Sequence, residues 1–126
     1  MNLPESIRSA LAEMGPRWQT DIRSFIPKTF ALFLPLLQAA PKDGVRVTVD
    51  EPYGPHPLQR LDIFEPSVRR PSAPVVVFVH GGALTAGDKR VNAEMYSNVL
   101  YYFARKGLVG VNANYRVLSV SLHELT

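Results

Sequence analysis

Residues 80–83, His80-Gly81-Gly82-Ala83, follow an unbroken apolar run, Val75-Val76-Val77-Phe78-Val79. A run that is apolar at every position reads as a central parallel strand covered on both faces. Ligands of open α/β sheets sit beyond the carboxyl ends of such strands. Glycines placed there let backbone N–H groups approach a substrate closely. In acyl transfer, N–H groups so placed bind the oxyanion that develops on the attacked carbonyl. Losing one such donor costs on the order of 10² to 10³ in rate.

A donor needs a reaction to serve. The groups after residue 80 that could act as nucleophile, acid or base are Ser97, Ser119, Ser121, Glu94, Glu124 and His123. Ser97 falls inside a predicted helix rather than on a strand-to-helix elbow. Ser119 and Ser121 lack flanking glycines, and no Gly-X-Ser-X-Gly occurs in the chain. Ser121, His123 and Glu124 are close in sequence, but a triad is a spatial arrangement of separately positioned groups. His80 has no activated nucleophile beside it in sequence, which argues against a general-base role. Asp88 reads as a loop or helix-entry residue that caps backbone N–H groups. The loop precedes a helix, which suits anions. It has no Gly-Lys-Ser/Thr ending and no Gly-X-Gly-X-X-Gly, so phosphate or nucleotide binding is the weaker reading.

The elements that must position these residues follow from periodicity. Residues 4–14 read as a helix with Pro4 in its first turn and Gly15-Pro16 ending it. A second helical stretch spans 17–40, broken by Pro27 and kinked at Pro35. Val45, Val47 and Val49 alternate with polar residues, predicting a half-buried strand. The stretch 51–57 holds three prolines and Gly54, predicting a loop, and 59–65 reads as a second strand antiparallel to the first. Beyond the apolar run, a helix is expected over 92–106, with Gly107 at its C′ position. A further strand is expected over 108–114. Strand, helix and strand then form one right-handed crossover unit.

Composition narrows the function classes. Hydrophobic residues make up 46% and charged residues 20%, which is globular. Fourteen Lys and Arg against eleven acids give a net charge of +3. The positive charges are scattered rather than clustered on a stripe, so no nucleic-acid partner is expected. With no cysteine there are no disulfides or thiolate metal sites. The apolar run 30–37 is interrupted by Pro35 and falls short of a membrane span of about 20 residues. No signal peptide is visible, so the expectation is a cytoplasmic chain with no membrane partner.

The residues Val-Phe-Val-His-Gly-Gly-Ala, then Gly87-Asp88-Lys89, a helix, and Asn114-Tyr115-Arg116 together carry a resemblance. So does the upstream Gln59-Arg60-Leu61-Asp62-Ile63-Phe64. The combination resembles the carboxylesterase and hormone-sensitive-lipase-like branch of the α/β-hydrolases over residues 45–116. It implies an α/β fold: the N-terminal portion of an α/β-hydrolase sheet of about four strands, the first two antiparallel, preceded by two N-terminal helices. Three segments are expected: a helical segment 1–43, a partial α/β-hydrolase domain 44–116, and a divergent tail 117–126.

The resemblance implies that Gly82 and Ala83 supply oxyanion N–H donors and that Gly81 shapes the turn. The family often has Gly where Ala83 stands, and Ala serves if its φ stays negative. His80, Asp88, Tyr115 and Arg116 are implied to be structural. The activity implied is hydrolysis of a small-molecule carboxylic ester by a serine nucleophile, with no metal and no cofactor. The triad would lie downstream in the order Ser, Asp or Glu, His, and after Tyr115-Arg116 the family's usual Leu-Ala-Pro is replaced. The chain therefore reads as a truncated or frame-shifted fragment, inactive alone. The alternative is a non-catalytic interaction or regulatory fragment completed by a second chain. Without an outer neighbour the 75–79 strand would be a sheet edge prone to self-association, with poor solubility.

Overall fold

The computed structural model describes residues 2–118. The chain divides after Ala40 into two compact units, Met1–Ala40 and Pro41–Thr126.

In the first unit, α1 (Glu5–Met14) runs directly into a 3-10 helix, Gly15–Thr20, before α2 (Ile22–Ala39). Gly15-Pro16 ends α1 as expected, with Gly15 at its C-cap, and the chain continues in the tighter 3-10 path. Pro16 occupies an early position of the 3-10 helix, where a missing N–H leaves no gap in the bonding. Pro27 and Pro35 both lie inside α2, and Pro27 does not break it. Each removes one backbone donor and leaves the rest of the ladder intact. Ile7, Met14 and Phe25 are buried. Trp18 stacks on Phe25 at 6.2 Å, and Arg17 and Lys28 lie over the same ring at 5.6 and 5.4 Å. No helix among the described residues is long and apolar enough to cross a membrane.

The second unit holds β1 (Val45–Pro52), β2 (Arg60–Pro66), β3 (Val75–Val79), α3 (Ser97–Arg105) and β4 (Val109–Ala113). The sheet order is β1-β2-β4-β3. β1 and β2 form the expected antiparallel hairpin, β2 runs antiparallel to β4, and β3 runs parallel to β4. This is the expected α/β arrangement of four strands with the first two antiparallel. β1 extends two residues into the expected loop, past a register shift between Thr48 and Glu51. Asp50, at φ 57, sits inside that bulge.

α3 begins five residues later than the periodicity predicts. Asn92 Oδ1 accepts the N–H groups of Glu94 and Met95 at 2.9 and 2.8 Å. That side-chain bonding offers the backbone an alternative to the first helical turn. α3 lays Leu100 and Ala104 over Phe64, with Val45, Val47, Phe78, Val99 and Tyr101 around them. The Phe64 and Tyr101 rings meet edge to face at 5.0 Å.

β3 lacks the cover on both faces that its apolar continuity predicts, and it takes the edge position expected without an outer neighbour. Val76 and Phe78 are half-buried, but Val75, Val77 and Val79 are 57, 58 and 57% exposed. One face meets α3 and the Tyr96 ring, 5.0 Å from Phe78. Val109 N–H donates to Pro74 O at 2.8 Å. In a parallel ladder that phase turns the backbone groups of Val76 and Phe78 toward β4. Those of Val75, Val77 and Val79 point out of the edge.

Candidate functional site

The parallel pairing of Val79 with Ala113 sets the ends of β3 and β4 side by side. His80 and Tyr115 therefore leave neighbouring strands together. Their rings stack with centroids 4.2 Å apart, and Tyr115 Oη donates to His80 O at 3.1 Å. His80 is 3% exposed. Its Nδ1 lies 2.7 Å from Gly81 O. A carbonyl can only accept, so Nδ1 carries the proton. The ring's Nε2 is buried with no hydrogen-bond partner among the described residues. Arg116, one residue further on, is exposed.

The loop from Gly81 onward is built around one carbonyl. Gly82 O accepts from Thr85 N at 3.0 Å and Ala86 N at 3.1 Å, and from Thr85 Oγ1 at 3.1 Å. Ala83 and Leu84, between donor and acceptor, both have positive φ, 54 and 63°. This is a left-handed turn with two central residues that carry a Cβ. Ala83 thus departs from the negative φ that its donor role was expected to require. Closure onto Gly82 O forces the sign, at about 1–2 kcal/mol for each of these residues. Gly82 itself has φ 128°, and a Cβ there would stand 1.8 Å from Ala86 O, so only glycine fits. The turn occupies the N–H groups of Thr85 and Ala86. Those of Gly81, Gly82 and Ala83 make no hydrogen bond to a described residue. They lie on an exposed loop at the C-terminal end of a parallel strand.

The far side of the loop is held by a network in which sequence reasoning gives a role only to Asp88, that of binding backbone N–H groups. Asp88 Oδ1 accepts Arg90 N–H at 2.7 Å, and its Oδ2 accepts Asn114 Nδ2 at 2.9 Å. Lys89 is 3% exposed. Its N–H donates to Asn114 Oδ1 at 3.0 Å, and its carbonyl accepts Asn112 Nδ2 at 2.8 Å. Its Nζ lies 2.7 Å from both Asp50 Oδ1 and Asp62 Oδ1. Arg90 grips Asp62 through Nε at 3.0 Å and a terminal nitrogen at 2.7 Å. It also reaches Asp50 at 3.2 Å.

The titrations follow these contacts. The Lys89 hydrogen bond holds the Asp50 carboxyl below its ordinary value against an opposing desolvation, with the Lys89 and Arg90 charges adding to it. Burial works against the Asp88 charge, but bonds from Asn114 and the Arg90 N–H, with Lys89 nearby, bring its pKa down. The Asp62 hydrogen bond raises Arg90 above its ordinary value. A signal for this network was present in the sequence. Asp62 is two residues from Phe64 and so shares its face, which places a charge on the core side of β2.

The other chemical candidates lie apart from this loop or outside the described residues. Ser97 is the first residue of α3. Glu94 is committed to Lys42 at 3.1 Å and to Asn98 at 2.8 Å. Ser119, Ser121, His123 and Glu124 lie outside the described residues. A cleft of about 800 Å³ opens where β3 and β4 begin, lined in part by Arg70, Pro74, Arg105 and Leu108, and includes none of the loop.

Esterase B from Lactobacillus rhamnosis (HN001) is similar in structure, with a TM-score of 0.52 and 25% sequence identity, over 91% of this chain and 34% of that one. A C6-C4 SN3 inhibited form of esterase B gives 0.51 and 24%, over 75% of this chain and 32% of that one. The chain thus spans about a third of the length of the esterase structures it matches. No curated protein matches it. The BD-FAE family model matches residues 61–123, half of the 126 residues. The chain belongs to the BD-FAE family, an α/β-hydrolase-associated family.

Proposed function

We propose that the loop after β3 is the oxyanion-binding part of a carboxylic-ester hydrolase. One observation carries this reading. Gly82 and Ala83 present unbonded N–H groups beyond the carboxyl end of a parallel strand, where a ligand of an open α/β sheet sits. Attack on an ester carbonyl moves charge onto its oxygen. Two fixed N–H dipoles beside that oxygen stabilise it without having to reorganise. His80 acts through its shape and stacking, not as a base, because it is 3% exposed and its Nε2 is enclosed with no partner among the described residues.

Donors of this kind do not attack. The sequence has no Gly-X-Ser-X-Gly, so no nucleophile on a strand-to-helix elbow is expected within these residues to form the acyl-enzyme. The 126-residue chain is therefore expected to show no hydrolysis of p-nitrophenyl acetate above the buffer rate. Turnover abolished by a serine-directed phosphonate would overturn this reading. The donor role is tested by adding a polypeptide that carries the Gly-X-Ser-X-Gly segment. Once activity is reconstituted, replacing the Ala83 amide by an ester lowers the rate about 10²- to 10³-fold. An unchanged rate removes Ala83 from the site.

The unpaired edge of β3 supports a second reading, in which the chain is a non-catalytic fragment completed by another chain. A co-purifying polypeptide without the nucleophile motif would favour it over the esterase reading.

A further inference from the structure

The loop between β3 and α3 is fixed at two feet that touch. At one foot, His80 is stacked on Tyr115 and bonded through its carbonyl. At the other, Gly87 has φ 108°, and a Cβ there would stand 2.4 Å from Gly81 O and 2.6 Å from His80 Nδ1. Gly87 thus packs against the Gly81 carbonyl and the His80 ring, and the crown between the feet is the strained left-handed turn of Ala83 and Leu84. Such strain persists only where the surroundings over-determine the conformation.

The second foot is bolted to three strands through Lys89. Both backbone groups of Lys89 bond side chains of, or just past, β4. Its ammonium ties the foot to Asp62 on β2 and to Asp50 in the β1 bulge. Lys89 and Asp62 are 3 and 1% exposed. A buried ion pair of this kind is weak evidence for stability, because desolvation offsets most of the attraction. Its better-attested use is to fix one arrangement among several. An unpaired Lys89 would be costly, so it accepts only a geometry that supplies Asp62 and Asp50, while Asp62 is held by Arg90 as well.

We propose that Lys89 and Asp62, with Asp50 as the outer partner, are positioning residues that hold the Gly82 and Ala83 N–H groups in place. This rests on the oxyanion reading of the loop, but its test reads loop order and not catalysis, so the two can fail separately. The test is backbone ¹⁵N relaxation on the 126-residue chain. In the parent chain, the Gly82 and Ala83 amides are expected to have order parameters of about 0.85, as in rigid backbone. In Lys89→Met they fall below about 0.6 while β2 and β4 amides stay rigid. A network that only stabilises the fold would lower the unfolding midpoint and leave the crown as ordered as before; that result overturns the proposal. So does a crown already mobile in the parent chain. If Lys89→Met does not fold, Asp50→Asn decides. It keeps a side chain tolerant of positive φ and removes one charge at the half-exposed end. Loss of crown order there supports the role, and unchanged order overturns it.

Discussion

The ring of His80 lies flat on the ring of Tyr115, with centroids 4.2 Å apart and planes 11° from parallel. The stack joins the first residue after β3 to the second after β4, and the Tyr115 hydroxyl adds a bond to the His80 carbonyl. Two adjacent parallel strands are thereby locked at the end where the loop departs. The position of the Gly82 and Ala83 amides is inherited from this lock on one side and from Lys89 on the other.

The two parts of the lock separate by substitution. Tyr115→Phe keeps the stack and removes one hydrogen bond, and is expected to cost about 0.5–1.5 kcal/mol. Tyr115→Leu loses the stacking as well and costs a further 0.5–1.5 kcal/mol or so. Urea unfolding at neutral pH measures both. Equal costs for the two variants would show that the ring contact contributes nothing.

Ala83→Gly relieves a side chain held at φ 54°. The left-handed conformation costs an L-residue about 1–2 kcal/mol, and glycine gives some of that back through the greater freedom of its unfolded chain. The variant is expected to gain up to about 1 kcal/mol and leave the turn unchanged. The usual penalty of glycine in a loop predicts the opposite sign, so a loss of stability refutes the strained turn.

The carboxylates of Asp50 and Asp88 both titrate below their ordinary value. A depressed folded-state pKa contributes stability that is fully present above the unfolded pKa. It is lost as pH falls through the folded value. Their contribution is therefore intact at pH 7 and is lost on acidification below about pH 4, the unfolded value of a carboxylate. Asp50→Asn should flatten the acid side of the stability curve while leaving its neutral-to-alkaline side parallel to that of the parent chain. An unchanged acid slope would mean that Asp50 gains nothing from Lys89.

The hairpin, the crossover unit and the loop were legible because each depends on local pattern. Alternation marks β1, apolar continuity marks β3, and glycine spacing marks the turn. What local pattern could not show is what surrounds an element. The run Val75 to Val79 has the composition of a covered strand, yet coverage depends on neighbours, and β3 has one strand neighbour among the described residues. Likewise Asp62 and Lys89 are far apart in sequence, and only the sheet order brings them within 2.7 Å. The positive φ of Ala83 escaped for a related reason. It is imposed by the hydrogen bonds that close on Gly82 O, not by any preference of alanine.

The β3 edge has no charge, no proline and no bulge to block pairing. Its outward backbone groups belong to Val75, Val77 and Val79, the same residues whose side chains are 57 to 58% exposed. A second copy is expected to pair with this edge. A twofold axis through Val77 pairs Val75 with Val79 in antiparallel register, and each pair can exchange both backbone hydrogen bonds. The valine stripe then continues across the junction. The 126-residue chain is accordingly expected to self-associate with rising concentration in sedimentation velocity, over the micromolar range. Val77→Lys places a charge at the centre of the junction and is expected to return the chain to a monomer, since lysine on an edge strand opposes pairing. Lys28→Glu, in the first unit, serves as a charge-changing control and should leave association unchanged. A parent chain that sediments as a monomer throughout that range, or a Val77→Lys variant that associates as strongly, would show that the β3 edge does not pair.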